Sequence, residues 1–296
     1  MPLLTYFSLI LTMFLWGGTF IAGRLLAGAV EPASAAFLRF LIASVAMVVV
    51  TRSLEGKFSM PQPKLWLPLI LLGMTGVFAY NVFFFYGLHH ISAGRASLIV
   101  AGTPLVITVF AALFLRERLT FLKTCGVLVS LAGAVMVISN GHPGSLFTGG
   151  FGRGEQALLG CVLSWSAYSL IGRSVLRSLP PLAAVCYSSI IGTLLLAFPA
   201  AREGLFSHHL SAISGLSWLS LAYLGICGTA LGFSLYYKGI KKIGASRAGI
   251  FINLVPVFSL LLSWFILHET IRPAVLAGGL LVLTGVTLTN FRQVGT

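Results

Sequence analysis

The sequence predicts an all-α membrane protein: ten transmembrane helices arranged as an inverted five-plus-five repeat around a central cavity. Three observations predict it. Of 296 residues, 57% are hydrophobic and only 8% are charged, against about 25% charged in a soluble domain, so the chain cannot present an ordinary wet surface. Apolar runs of about 20 residues, the span of a bilayer core, recur from end to end. Finally, one text is written twice. Trp16-x7-Arg24-x7-Pro32 returns as Trp165-x7-Arg173-x7-Pro181, and Arg95-x8-Pro104-x12-Glu117-x8-Gly126-x6-Gly133 returns as Arg247-x8-Pro256-x12-Glu269-x8-Gly278-x6-Gly285. Five spans per copy is an odd number, so the second copy lies upside down. Such a repeat has its pseudo-two-fold axis in the membrane plane and its site near the midplane.

The spans follow in order. Span 1 (4–26) places Thr12, Trp16, Thr19, Phe20 and Gly23 on one helical face. It lacks a basic n-region and a small-residue cleavage site, and reads as a retained helix and not a signal peptide. Span 2 (32–52) starts at Pro32 and carries Arg39. Span 3 (66–88) aligns Gly73, Val77, Tyr80, Asn81, Phe84 and Leu88. Span 4 (93–115) contains Pro104, and span 5 (120–139) contains Gly126 and Gly133. Residues 1–140 form the first repeat. The Gly-rich segment 141–155 connects it to the second, 156–296. Span 6 (156–177) repeats the face of span 1 with Cys161, Trp165, Tyr168, Ser169 and Gly172. Span 7 (181–201) starts at Pro181. Span 8 (214–238) aligns Gly225, Thr229, Gly232, Phe233, Tyr236 and Ile240. Span 9 (244–267) holds Asn253 and Pro256, and span 10 (271–291) holds Gly278 and Gly285.

These faces mix small residues, which let helices approach, with aromatics that join an apolar body to a polar edge. The substrate-binding candidates are Trp16, Thr19, Phe20, Tyr80, Asn81, Phe84, Trp165, Tyr168, Phe233, Tyr236 and Asn253. Ordinary helix packing is the plainer account of such faces. Trp66 and Trp218, near span ends, read as interfacial aromatics, whereas Trp16 and Trp165 are mid-span repeat mates and are assigned to the cavity. An unpaired amide in hydrocarbon costs several kcal/mol, so Asn81 and Asn253 each require a helix partner, water or a ligand. The intramembrane charge Arg39 costs roughly 2.5–3.5 kcal/mol on insertion scales. It is paired inside the bundle, snorkels to a surface, or anchors a substrate carboxylate. Pro104 and Pro256 are helix kinks that free the carbonyls of Val100 and Ile252, either to shape the bundle or to accept from a substrate ammonium. Glu117 and Glu269 stand at helix ends as caps or ion-pair partners.

A net charge of +13 would suggest nucleic acid in a soluble protein; here the bases sit at helix ends. With both termini cytoplasmic, thirteen Lys and Arg fall on the cytoplasmic side and five opposite, as the positive-inside rule requires. The chain has no Asp, and its six Glu fall at or beyond span ends. No buried carboxylate is offered for proton coupling, which points to facilitated movement. The four cysteines lie singly in apolar runs as small fillers, with neither a disulfide framework nor a metal site. No HExxH, GxSxG or P-loop pattern appears. No enzyme activity, cofactor or nucleic-acid partner is expected.

Trp-Gly-Gly-Thr-Phe at 16–20, Ala93-x-Arg95 through Pro104 to Leu115-Arg116-Glu117-Arg118-Leu119-Thr120, then Gly126 and Gly133, together with the copy from Ala245 to Glu269 and Gly285, resemble the EamA branch of the drug/metabolite transporter superfamily over nearly the whole chain. Within that branch the chain is most similar to bacterial inner-membrane exporters of aromatic and other neutral amino acids. The resemblance implies a multi-pass inner-membrane protein, a basket of helices, and a cavity lined by spans 1, 3, 4, 6, 8 and 9. It carries over to Trp16, Tyr80, Asn81, Trp165, Tyr168, Phe233 and Tyr236. Its expected partners are the bilayer and a small-molecule substrate, as monomer or homodimer. Exchange of organic phosphates or other metabolites is the competing transport reading. A non-transporting membrane receptor is the reading from another class.

Overall fold

A computed structural model of the chain describes residues 2–56, 60–115, 121–144, 152–209, 213–243, 248–249 and 251–290. The described elements are all helical. Among the described residues, eight helices are long and apolar enough to cross a membrane, and two shorter apolar helices join them. They are α1 (Pro2–Leu26), α2 (Pro32–Glu55), α3 (Pro63–His90), α4 (Ala93–Val100 continued by Thr103–Leu115), α5 (Phe121–Ile138), α6 (Arg153–Val175), α7 (Pro181–Arg202), α8 (Gly215–Ile243), α9 (Phe251–Leu267) and α10 (Pro273–Asn290). Pro32, Pro63 and Pro181 each begin an element, where their missing N–H costs nothing. Glu117 and Arg247, both motif residues of the repeat, lie outside the described residues.

The surface is built for hydrocarbon. Leu3, Phe7, Val45, Leu67, Phe198, Leu219, Trp264 and Phe265 are all well exposed, far more apolar surface than a soluble monomer shows. Small side chains let the helices approach inside. Ala35, Ala36, Ala43, Ala93 and Ala96 are fully buried. A close backbone seam joins α5 to α10. A Cβ added at Gly133 would stand 2.5 Å from the Gly278 carbonyl oxygen, and one at Gly285 would stand 2.5 Å from that of Gly126. Only glycine permits backbones this close. Ser44 on α2 and Thr193 on α7, 149 positions apart like the two tryptophan motifs, share a hydrogen bond of 3.0 Å.

Polar contacts gather at one end of the bundle. Glu203 accepts from the backbone N–H groups of Ala33 and Ser34 (3.0 and 2.7 Å) and from the Ser34 hydroxyl. Glu269 accepts from those of Ala93 and Gly94 (2.9 and 3.2 Å). Each carboxylate therefore caps the start of a helix distant in sequence, α2 or α4, where the orphan donors and the dipole favour an anion. Arg95 pairs with Glu155 at 2.9 Å and donates to the carbonyls of Val137 and Ile138. Arg24 donates to the carbonyls of Leu88 and His89. The helix-end role expected for Glu269 is therefore met across the fold and not beside it.

Two features depart from regular α-helix. Gly73–Ala79 in α3 and Tyr223–Leu231 in α8 are π-helical, and they occupy corresponding positions of the sequence repeat. The expected proline kinks take a different form. The helix is interrupted by a turn at Ala101–Gly102, and Pro104 falls in the first turn of the helix that restarts at Thr103. Pro256 likewise falls in the first turn of Leu254–Leu267, behind the short 3-10 turn Phe251–Asn253. A first turn tolerates proline because its N–H has no intrahelical partner there. The Val100 carbonyl, expected to be free, accepts from the Thr103 hydroxyl at 2.5 Å.

Candidate functional site

A cavity of about 460 Å³ lies inside the bundle. Its lining comes from α1, α2, α3, α4, α6, α7, α8 and α9; α5 and α10 contribute nothing to it. The resemblance had implied six of those helices, and α2 and α7 are additions. The cavity reaches Leu72, Leu176, Ala184, Tyr237 and Ile252, all at the end of the bundle remote from the polar caps. Leu176 there is 43% exposed and marks the mouth. At the capped end the lining stops at Phe20, Arg39, Asn81 and Ser97, short of the Arg24, Glu203 and Glu269 contacts.

Two aromatic groups face the space. Trp16 on α1 lies 5.5 Å from Phe233 and 5.2 Å from Tyr236 on α8, ring centre to ring centre. Its indole N–H donates to the Gly228 carbonyl at 2.9 Å. That acceptor lies within the π-helical segment, whose wide turns displace carbonyls from the regular ladder. Trp165 on α6 lies 5.2 Å from Tyr80 and 5.0 Å from Tyr168. The repeat-mate tryptophans thus each take a partner set of their own.

Of the residues singled out from the sequence, Trp16, Thr19, Phe20, Arg39, Tyr80, Asn81, Pro104, Trp165, Tyr168, Phe233, Tyr236, Asn253 and Pro256 border the cavity. Phe84 does not. It is fully buried behind the wall, stacked on Tyr80 at 5.9 Å and edge-on to Phe20 at 5.3 Å. A helical-face pattern selects the inward stripe but does not separate the wall from what supports it. Trp66 and Trp218 are 41% and 39% exposed, away from the cavity. Residues the pattern missed include Ser97, Thr103, Ser188, Ser189 and Tyr237. The adjacent serines of α7, in an otherwise apolar run, were the available signal.

The polar chemistry is lopsided. Arg39 is 8% exposed and Asn81 1%, and the Arg39 guanidinium donates to Asn81 Oδ1 at 2.8 Å. The Asn81 amide donates in turn to the Val77 carbonyl at 2.8 Å. Two residues expected to need partners therefore supply each other. Asn253 donates to the Thr287 hydroxyl at 3.3 Å. The described lining otherwise offers hydroxyls, indole N–H groups and backbone, with no carboxylate and no second cation. Among the described residues no cluster of His, Cys, Asp or Glu could hold a metal ion, and the four cysteines are free thiols.

The EamA-like transporter family matches residues 3–139 and, a second time, residues 152–291. The chain belongs to the EamA-like transporter family. It is a membrane transporter of small molecules and not an enzyme. It is similar to the uncharacterized transporter YyaM of Bacillus subtilis (strain 168), 28% identical over 91% of this chain and 88% of that one. It is also similar to a probable terminal-alkyne amino-acid exporter of Streptantibioticus cattleyicolor, 29% identical over 97% of this chain and 94% of the relative. A protein of known crystal structure shares the fold of this EamA-like transporter, with a TM-score of 0.67, 23% identity and 97% coverage of both chains.

Proposed function

We propose that this transporter exports neutral amino acids, aromatic ones among them, across a bacterial cytoplasmic membrane. The observation that carries the proposal is the cavity itself: about 460 Å³, within the usual range of small-ligand sites, walled by Trp16, Trp165, Tyr80, Tyr168, Phe233 and Tyr236. Its polar groups are few and sit to one side. A large apolar body with a small polar head suits such a space. A relative carrying the name of an amino-acid exporter supports the substrate class.

In this reading the halves 1–140 and 156–296 are inverted five-helix repeats, with both termini cytoplasmic, and export proceeds by alternating access about the shared cavity. Three features support the symmetry. The family matches twice, Ser44 meets its repeat mate Thr193, and the glycines of α5 and α10 meet crosswise, Gly133 against Gly278 and Gly126 against Gly285, as a two-fold axis between mates requires. The capped end is then the periplasmic side, closed, and the mouth at Leu176 faces the cytoplasm. Movement is facilitated, because the described lining offers no carboxylate to carry a proton.

Counterflow in proteoliposomes tests this. Purified protein should exchange radiolabelled phenylalanine and tryptophan for internal amino acid without an imposed proton gradient. Strict dependence on that gradient would sink the facilitated part. Exchange of organic phosphates with no exchange of amino acids would sink the substrate class.

A further inference from the structure

We infer that Arg39 is the anchor for a substrate carboxylate, so that the cavity selects monocarboxylates with apolar bodies and does not require the ammonium group. This deepens the amino-acid reading and rests on the cavity being the transport site. Arg39 is buried to 8% exposure and borders the cavity. Its one described hydrogen bond goes to a neutral amide, Asn81. Its Nε is buried with no partner. The rings of Phe40 and Phe84 lie 5.2 and 5.8 Å from the guanidinium carbon and hold the group through their π faces without neutralising it.

A buried charge left unpaired is among the costliest arrangements a protein carries, and more so within a membrane. The described lining contains no carboxylate to repay it. The repeat adds the decisive asymmetry. The position equivalent to Arg39 is Ser188, and the one equivalent to Asn81 is Phe233. Both border the same cavity, so at these positions the second half supplies no counter-charge for Arg39. One fixed positive charge at one edge of an aromatic chamber is complemented by a monoanion. The planar fork of arginine matches a carboxylate in particular. A dianionic phosphate monoester would leave a negative charge uncompensated, and an amine would add repulsion.

Ligand binding to the purified full chain, followed by intrinsic tryptophan fluorescence, tests this on wild type, Arg39→Lys and Arg39→Gln. The probes are phenylalanine, 3-phenylpropionate, 3-phenylpropionamide, phenethylamine and phenyl phosphate. Wild type should bind phenylalanine and 3-phenylpropionate and discriminate against the amide and the amine. Arg39→Gln should weaken both carboxylates by about 10- to 100-fold, the usual range for a hydrogen bond to a charged group. Arg39→Lys should retain part of that affinity, and binding of the amide should stay unchanged in all three proteins. Equal affinity of the acid and its amide, undiminished carboxylate binding by Arg39→Gln, or preference for phenyl phosphate would overturn the inference. Loss of amide binding as well would mark a collapsed fold, and the comparison then passes to Arg39→Lys, in which acid and amide must still differ. Should wild type bind no aromatic probe, the aromatic part of the amino-acid reading fails. The anchor is then decided by aliphatic monocarboxylates against their amides, where equal binding refutes it.

Discussion

Replacing Glu269 tests whether carboxylates fasten one end of the bundle. The side chain reaches from beyond α9 to the start of α4, accepting from Ala93 N at 2.9 Å and Gly94 N at 3.2 Å. Hydrogen bonds to a charged acceptor contribute about 1.5–3 kcal/mol each. Two such bonds on one carboxylate, one of them long, sum to roughly 3 kcal/mol with weak additivity. Glu269→Ala removes both and leaves two helix donors without that partner. Glu269→Gln keeps one acceptor oxygen and loses the charge, so about half of the effect remains. The control is Glu31→Ala. It deletes the same charge at the start of α2, where Glu31 makes no capping bond with its side chain, and surface changes of that kind stay within about 0.5 kcal/mol. At about 2–4 °C per kcal/mol, thermal unfolding in detergent should fall by roughly 6–12 °C for the alanine variant and half that for glutamine. Reaction of a thiol dye with the buried Cys161 and Cys186 reports the transition. Identical melting of Glu269→Ala and Glu31→Ala would refute the reasoning, because it would mean that the bonds contribute no more than an exposed charge.

Other outcomes follow from the cavity and the seams. Trp16→Ala loses the bond to Gly228 and two ring contacts. That variant and Trp165→Ala should cut counterflow by at least about tenfold at equal expression, an effect near 1.4 kcal/mol, while Trp66→Ala changes it little; equal losses in all three would count against the cavity. Gly133→Ala would push a methyl to 2.5 Å from Gly278 O and 2.6 Å from Val282 N, and overpacking of this kind costs about 1–3 kcal/mol. Gly249→Ala, with nothing within 4 Å, should melt like wild type, and a Gly133→Ala protein that did the same would show the seam to be slack.

Much of this architecture was legible in the chain because the membrane restricts the vocabulary. Hydrocarbon forces backbone groups into helices, so length and hydropathy located α1 to α10 to within a few residues at most ends. Prolines marked starts at 32 and 181. What stayed hidden depends on packing between distant segments. The π-helical turns at Gly73–Ala79 and Tyr223–Leu231 have no hydropathy signature, although the alignment of Gly73 and Val77 with Gly225 and Thr229 paired the two segments. Arg39 and Asn81 were each conspicuous alone, yet nothing in their spacing of 42 positions announces that they bond. Phe84 shares the helical register of Tyr80, which points it to the wall, and only the third dimension places it one layer behind. The carboxylates of Glu203 and Glu269 gave no hint of their distant helix starts, because a cap is ordinarily sought within the same turn.

The glycine seam between α5 and α10 touches no part of the chamber, and at Gly133 and Gly285 its closest approaches are to main chain. Selectivity and assembly therefore answer to different residues. A lineage can exchange cargo by trading the groups that face the chamber, while any thickening at 126, 133, 278 or 285 would pry apart the rib on which every such variant is hung.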